Sequence, residues 1–574
     1  MKRLFSYFKP LTGRVVQTMI LKIVWSVFML IIPYILGHIL DRVVPETPEK
    51  GLWPIFQWGG IMLLFAAGCL ITGIWANRNA ARIARDVTGK MRQDLFDSIL
   101  SLSAHQVDTF TIPSLVARMS SDTYTTHNMI LVLFRSAVHN LVLFFTGIAV
   151  TLTVEPALGS TFVVLLPILG VIVYAISRKG AKLYKVRQGK VDAMVRVVRD
   201  AFTGIRVIKA LSKVDHEKEH FHTVKTDLSR AALKAGRTVS VSKSLISLFL
   251  NLGMTSVIVI GAYRVVSGHT QPGQIISFMS YFTIILNATI TMTRVFTAIS
   301  AGAASAARIF EVIDTKPELL LDAPAEPEDN APFLEFRDVT FSYNKTLPTV
   351  QHISFTLKKG ETLGVIGGTG SGKSTLLQLL LRFYDPDEGK ILLEGRDLRA
   401  IPPEELHARF GVVFQNDFLA AESISENIRF ARRVNGDGIR KAAELAQATP
   451  FIERNEEGFN YDLTAHGSNL SGGQRQRLLV ARAVAARPEI LLLDDASSAL
   501  DYKTDAAMRR AIRAEFADTT TVIVAQRVSS VRASDLILVL EHGEMIGLGK
   551  DEDLMETCEI YREIAKSQMG EFQG

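Results

Sequence analysis

The stretch Gly367-Gly-Thr-Gly-Ser-Gly-Lys-Ser374 decides the fold of the second half of this 574-residue chain. It has the spacing of a phosphate-binding loop, whose glycines let successive backbone N–H groups turn toward phosphate oxygens. The apolar run Leu363–Ile366 precedes it and predicts a strand, and Thr375–Phe383 follows it as a predicted apolar helix. We therefore expect a strand, a loop and a helix N-terminus that together bind phosphate.

The residues predicted to bind the phosphates are those of the loop and the one after it: Gly367, Gly368, Thr369, Gly370, Ser371, Gly372, Lys373, Ser374 and Thr375. Lys373 is expected to reach the outer phosphates and Ser374 to ligate Mg²⁺. A second motif is the apolar run Ile490–Leu493, which ends in Asp494. An acidic residue at the end of a buried strand is a typical second ligand for that Mg²⁺.

Further short apolar runs alternate with helical stretches from Phe333 onward, which predicts a mainly parallel sheet covered by helices. The runs are Phe333–Phe336, Thr521–Val524 and Leu536–Leu540. We therefore predict an α/β domain over 333–574. The preceding 316–332 is rich in Pro, Asp and Glu and is predicted to be a linker.

The first 315 residues have a different composition, because long runs lack charged residues altogether. Each run approaches or exceeds the roughly 18–20 residues that a helix needs to cross a bilayer. The predicted spans lie at about 15–39, 53–76, 132–154, 156–177, 244–264 and 274–296. Lys22 lies one turn inside the first span and is expected to extend toward the lipid headgroups. Residues 1–315 are thus predicted to form a six-helix membrane domain.

Basic residues indicate the orientation of these helices. The connections 77–129 and 178–243 carry six and seventeen Lys or Arg, whereas the connections on the other side carry three in total. The basic connections, both termini and the α/β domain are therefore expected in the cytoplasm. The net charge of +6 is interpreted as this topology signal, and no nucleic-acid partner is predicted. Cys69 and Cys558 lie in different domains and predict no disulfide or thiolate metal site.

Between the loop and Asp494 lies Leu470-Ser471-Gly472-Gly473-Gln474. This string resembles the signature of the ATP-binding-cassette (ABC) family, and the whole chain resembles an ABC exporter half-transporter: a membrane domain of the type I exporter (type IV) fold, then a P-loop nucleotide-binding domain. The resemblance implies ATP and Mg²⁺ as ligands. In this family the signature contacts ATP that is held by the other cassette of a dimer, so a second, homologous chain is implied.

The same resemblance assigns four further roles. Tyr343 would stack on adenine, Gln415 would contact Mg²⁺, and Ser498 and Asp501 would lie in a loop between the two nucleotide sites. Cytoplasmic turns near Ser114–Asp122 and Ala201–Ala210 would couple the membrane domain to the cassette.

Two positions depart from the family pattern. Asp495 follows Asp494 where hydrolysing members carry glutamate, so its carboxylate is one methylene short. Gln526 occupies the position of a histidine that contacts the γ-phosphate, and glutamine cannot become cationic. With an intact signature, these departures resemble the degenerate-site subunit of a heterodimeric multidrug exporter in the plasma membrane, with hydrophobic cargo. A homodimeric lipid or peptide exporter, or an ATP-binding regulatory subunit, is the alternative.

Overall fold

The computed structural model describes residues 2–323, 326, 328, 331–415, 417–430 and 432–570. Five residues of the predicted linker 316–332, among them Pro324 and Pro327, lie outside that range. The chain divides into two compact units. Unit 1 comprises Met1–Leu100 and Pro113–Thr315, and unit 2 comprises Ser101–Ile112 and Lys316–Gly574.

Unit 1 is built from helices. They span Lys2–Ser6, Thr12–His38, Thr47–Lys50, Trp53–Leu100, Ile112–Ala117, Thr123–Val132, Val138–Val154, Pro156–Thr203, Ile205–Ala210, Val214–Val266 and Pro272–Ile313. Wider helical turns at Ile39–Val43, Arg118–Asp122 and Leu133–Ala137 extend or join their neighbours. The 48 residues of Trp53–Leu100 give a length of about 72 Å at 1.5 Å per residue. This exceeds the roughly 30 Å of a hydrocarbon core, so the helix continues well beyond any membrane span.

Five helical stretches among the described residues are long and apolar enough to cross a membrane: Lys9–Val43, Trp53–Leu100, Ile112–Val154, Ser247–Val266 and Pro272–Ile313. They cover five of the predicted spans. The remaining one, 156–177, lies within the helix Pro156–Thr203, where many side chains are outside the described set. The count of six spans therefore stays a prediction.

Lys22 does not extend to the lipid headgroups, so that prediction was wrong. Its side chain is fully buried, and Nζ donates to Asn77 Oδ1 and to the Arg135 carbonyl, both at 2.8 Å. The Trp25 ring, 4.4 Å from Nζ, stacks on His139 at 3.8 Å between centroids. Helical neighbours thus supply the polar partners that a headgroup would otherwise supply.

Unit 2 contains two sheets. Its strands are β1 (Leu334–Phe341), β2 (Val350–Leu357), β3 (Thr362–Gly367), β4 (Glu388–Leu393), β5 (Arg396–Asp397), β6 (Phe410–Val413), β7 (Ile490–Asp494), β8 (Thr520–Val524), β9 (Leu536–Glu541) and β10 (Glu544–Gly549). The larger sheet has the order β10-β9-β3-β8-β7-β6 and is parallel except for the β9–β10 pair. The smaller sheet, β2-β1-β4-β5, is antiparallel.

Helices pack around these sheets, and the longer ones span Ala104–Phe110, Lys373–Leu380, Gly436–Leu445, Gly472–Val484, Tyr502–Glu515, Asp551–Thr557 and Glu559–Gly570. Shorter ones lie at Pro403–Ala408, Ile424–Arg429, Thr449–Ile452 and Val528–Val531. Strands β3, β7 and β8 are adjacent and parallel, so their carboxyl ends meet at one edge. This edge carries Gly367, Asp494 and Val524.

Candidate functional site

The phosphate-binding loop has the geometry that its glycines predict. Gly370 and Gly372 have φ values of +80° and +97°, which side-chain-bearing residues rarely adopt. A Cβ on Gly372 would also lie 2.6 Å from Val350 Cγ1, and one on Gly367 would lie 2.1 Å from the Leu540 carbonyl oxygen. Close packing therefore requires glycine at Gly367 and Gly372, and the backbone conformation favours it at Gly370.

Lys373 begins the helix that follows the loop. Its Nζ donates to the carbonyl oxygens of Gly367 at 2.9 Å and Gly368 at 2.6 Å. Burial lowers the pKa of this ammonium group, while the nearby charges of Asp494 and Asp495 raise it. The loop thus holds a cation beside two carboxylates.

The two carboxylates differ in their surroundings. Asp494 ends β7 and is 6% exposed; burial raises its pKa, and a hydrogen bond with Ser374 opposes that shift. Asp495 lies one residue beyond the strand with φ at +49°, and its N–H donates to the Val524 carbonyl at 2.9 Å. Burial raises the pKa of Asp495 as well, opposed by Arg527 and Lys373. Both groups are therefore held where their ionised forms are poorly solvated.

These residues line one cavity of about 210 Å³, the P-loop cavity. Its lining consists of Thr349, Thr369, Gly370, Gly372, Lys373, Ser374, Thr375, Gln415, Asp494, Asp495, Val524, Ala525 and Gln526. The Nε2 atom of Gln526 lies 3.4 Å from Asp495 Oδ2, which brings the two departures from the family pattern into contact. Sequence reasoning missed Thr349, since an uncharged loop residue between β1 and β2 belongs to no motif.

Tyr343 lies beside the P-loop helix and is not among the residues that line this cavity. Its hydroxyl donates to Gln378 Oε1 at 2.6 Å and is 3.2 Å from Thr375 Oγ1. Its ring contacts Phe341 and Tyr384 edge to face, with centroids 4.9 and 5.2 Å away. Stacking on adenine stays a prediction.

The Leu470–Gln474 signature lies at the start of a different helix, Gly472–Val484. Ser471 Oγ accepts from the Gln474 N–H at 3.3 Å, and Gln474 Oε1 accepts from the Ser471 N–H at 2.8 Å, a reciprocal cap that fixes the helix end. Among the described residues, none of the five signature residues lines the P-loop cavity. Within this chain, the signature and the P-loop cavity are thus separate.

The predicted interface loop packs on the signature helix. Gln476 Nε2 donates to Ser498 Oγ at 2.8 Å, and its Oε1 accepts from the Ala499 N–H at 2.9 Å. Asp501 caps the next helix by accepting from the Thr504 N–H at 2.9 Å, and that bond lowers its pKa. Gln476, which sequence reasoning also missed, joins the two motifs.

Residues 101–112 pack with unit 2. Asp108 accepts a 2.7 Å hydrogen bond from the Tyr384 hydroxyl. Glu318 lies 3.1 Å from Ser103 Oγ and 3.0 Å from His105 Nδ1, and the bond with His105 lowers the pKa of Glu318. The segment that belongs to unit 2 therefore begins at Ser101, thirteen residues before the predicted turn at Ser114–Asp122, which lies in unit 1.

Membrane-length helices in one unit and a P-loop at the edge of a parallel sheet in the other define a membrane protein with a nucleotide-binding domain. The model of the ABC transporter transmembrane region matches residues 15–289, and the ABC transporter model matches residues 350–498. An uncharacterized ABC transporter ATP-binding protein of Mycobacterium tuberculosis, MT1311, is 32% identical over 98% of this chain and 97% of its own length. This chain belongs to the ABC transporter family.

Two further comparisons extend the similarity. The structure of a bacterial Atm1-family ABC exporter with ATP bound superposes with a TM-score of 0.81 over 97% of this chain and 98% of that chain, at 24% identity. The multidrug efflux ATP-binding/permease protein Rv0194 of M. tuberculosis is 29% identical over 94% of this chain and 45% of its own length. The predicted fold class, a helical exporter-type membrane domain followed by an α/β cassette, is confirmed. The cassette implies ATP hydrolysis coupled to transport.

Proposed function

We propose that this chain is one subunit of a heterodimeric ABC exporter of hydrophobic compounds. Its own P-loop would form a degenerate ATP site, and its Leu470–Gln474 segment would complete the hydrolysing site of a homologous partner. One observation carries the proposal: the P-loop cavity contains Asp495 and Gln526 but none of this chain's signature residues. The signature segment of a second chain would close this P-loop cavity, and the Leu470–Gln474 segment of this chain would close the P-loop cavity of the second chain.

The donors in the cavity fit ATP with Mg²⁺. Lys373 and the glycine-rich backbone supply cationic and N–H donors for phosphate oxygens. Ser374, Gln415 and Asp494 supply the hydroxyl, amide and carboxylate oxygens that Mg²⁺ prefers, and we infer that they hold it. When bound, Mg²⁺ neutralises phosphate charge. Lys373 would then exchange its bonds to loop carbonyls for bonds to phosphate oxygens.

Weak hydrolysis at this site follows from the two departures. A catalytic group displaced by about 1 Å can cost roughly 100-fold in rate, and the Asp495 side chain is one methylene shorter than glutamate. Gln526 donates a hydrogen bond without positive charge, so it stabilises the developing charge on the phosphate less than a protonated histidine would. ATP at this cavity would mainly hold the two cassettes together, and the partner's site would hydrolyse.

Cargo and orientation are part of the same proposal. The basic connections 77–129 and 178–243 support a cytoplasmic position for both termini and the cassette. The chain would lie in the plasma membrane. Hydrophobic, drug-like cargo is supported by the likeness to Rv0194, which is named for multidrug efflux. This chain matches 45% of Rv0194, so that protein is long enough to contain two such halves.

The proposal is tested with the chain alone and co-expressed with a homologous half-transporter that carries both the glutamate and the histidine. ATPase activity and uptake of a fluorescent hydrophobic cation are measured in inside-out vesicles. We expect replacement of the partner's glutamate by glutamine to abolish turnover, and Asp495→Asn to change it less than about two-fold. In the complex whose partner carries glutamine in place of its glutamate, Asp495→Glu combined with Gln526→His in this chain should restore ATP hydrolysis at this chain's own site.

Three results would contradict the proposal. Equal losses from the two carboxylate replacements would favour two equivalent sites. Full activity of this chain alone would favour a homodimer. Complexes that bind ATP at both sites but take up no cargo of any class would favour a regulatory subunit.

A further inference from the structure

Unit 2 contains a second cavity, of about 530 Å³, beside the helix Tyr502–Glu515. Its volume lies within the range of about 300–1,000 Å³ that is typical of small-molecule sites. We call it the helix cavity. It shares Val524 and Ala525 with the P-loop cavity but contains none of the P-loop residues and neither Asp494 nor Asp495. The role proposed above for this chain does not use it.

One part of the helix cavity is apolar. Leu493 and Ile523 belong to the sheet, and Met508, Ile512 and Phe516 face them from the helix and its end. The atoms that line an empty apolar cavity lack dispersion contacts on that side, so a ligand of matching shape would bind there favourably. The occupant should therefore include an apolar, ring-sized part.

The other part is basic, because Arg509, Arg510 and Arg513 also line the helix cavity. Arg509 is neutralised by Asp505 at 2.8 Å. Arg510 Nε donates only to the Ala506 carbonyl at 3.3 Å, and Arg513 Nη2 donates to the Ala533 carbonyl at 2.7 Å. Neither forms an ion pair with a carboxylate among the described residues. Asp505 and Asp535 also line the cavity, but the exposed guanidinium groups of Arg510 and Arg513 remain free to pair with an anion.

A buried hydroxyl also faces this space. Ser534 lines the helix cavity, is 9% exposed, and its Oγ has no hydrogen-bond partner among the described residues. Buried polar atoms are normally paired with a protein group or with another molecule. The Oγ of Ser534 has almost no accessible surface and lies against Gly364, so it would reach an occupant only after rotation about the Cα–Cβ bond.

We propose that the helix cavity binds a small amphipathic anion, with its ring on Phe516 and Ile523 and its carboxylate, sulfonate or phosphate on Arg510 and Arg513. Guanidinium groups pair well with these anions. After that rotation, the Ser534 hydroxyl would bond a polar atom of the bound molecule.

The test uses the full chain in lipid nanodiscs with a saturating non-hydrolysable ATP analogue, so that the P-loop cavity is occupied. Binding of 1-naphthalenesulfonate and of the uncharged 1-naphthalenemethanol is measured by equilibrium dialysis against empty nanodiscs. We expect one saturable sulfonate site per chain. Arg510→Gln with Arg513→Gln should weaken sulfonate binding at least ten-fold and naphthalenemethanol binding much less.

A second variant tests the apolar part. Ala506 lines the helix cavity from the same helix, so Ala506→Leu should fill it and weaken both probes at least ten-fold. The matched control is Arg454→Gln, an exposed arginine outside the cavity lining, which should change neither Kd. Unchanged affinity for the ATP analogue would show that each variant is folded. No saturable sulfonate binding, or equal Kd values in all variants, would overturn the proposal.

Discussion

Asp495 illustrates how much one residue's backbone matters at this site. Its φ of +49° lies in the left-handed region, which costs energy for a residue with a side chain. The bond from its N–H to Val524, at 2.9 Å, holds the carboxylate beside Gln526. The sequence showed that this carboxylate is one methylene short, but not that Gln526 contacts it, because the contact depends on where β7 and β8 end.

Gly372 allows a direct test of the loop. Gly372→Ala would place Cβ 2.6 Å from Val350 Cγ1, at a φ that alanine rarely adopts. We expect the loop to shift and the affinity for ATP to fall at least ten-fold, measured with a fluorescent ATP analogue. Gly436→Ala is the control, because Gly436 lies outside the P-loop cavity and no heavy atom lies within 4 Å of its Cβ position. Equal affinities in the two variants would contradict the prediction.

The raised pKa of Asp495 predicts a pH-dependent gain in stability on its removal. A raised pKa in the folded state means that the ionised form is disfavoured by folding, and this penalty acts at pH values above that pKa. Asp495→Asn should therefore raise the melting temperature at pH 7.5. The gain should shrink as the pH falls through the raised pKa, and it should vanish below the ordinary Asp pKa of 3.8, where the carboxyl is protonated in both states. The exposed Asp518→Asn is the control. A gain that increases on acidification would contradict this prediction.

At the scale of elements, the strands of the parallel sheet were the most predictable. β3, β7, β8 and β9 are buried between helices, so they form continuous apolar runs in the sequence. β4 was not predicted, because its first three residues, Glu388–Lys390, are exposed and polar. The assignment of Ser101–Ile112 to unit 2 could not be predicted either, since it rests on single hydrogen bonds such as that between Asp108 and Tyr384.

Removal of the hydrogen bond between Asp108 and Tyr384 is predicted to weaken the coupling between ATP hydrolysis and transport. Tyr384→Phe removes the 2.7 Å bond to Asp108, and a bond to a charged group contributes about 1.5–3 kcal/mol. We expect the active complex to retain its ATPase activity but to transport several-fold less cargo per ATP. Tyr561→Phe is a matched control, because it removes a 2.7 Å tyrosine–aspartate bond in the same unit, to Asp551. Equal transport per ATP in both variants would contradict the prediction.

For the whole molecule, the separation of the signature from the P-loop cavity predicts where a variant acts. Ser471→Arg would remove a helix cap and introduce a bulky cation at the start of the Gly472–Val484 helix. In the complex with a partner, we expect ATP hydrolysis to fall by more than about 90%, although this chain still binds ATP at its own loop. Photo-crosslinking of labelled ATP to each subunit distinguishes the two effects. Labelling that is lost from this chain but retained on the partner would contradict the prediction.

In the membrane domain, the positions of helices could be predicted from the sequence, but the contacts between them could not. Charge-free runs predicted five of the membrane-length helices, because a bilayer penalises charge along their length. The buried network of Lys22, Asn77 and His139 could not be predicted, since it requires three helices to meet at one depth. No cargo-reading residue can be named from the sequence for the same reason.

The position of Leu470–Gln474 away from the P-loop cavity also bears on the time before assembly. Under the proposed function, a newly synthesised copy that has not met another subunit would lack the signature segment that covers its nucleotide. Such an unpaired copy would not hydrolyse ATP in the membrane until it forms a complex with a partner. If the two subunits were produced in unequal amounts, the unpaired copies would then consume no ATP.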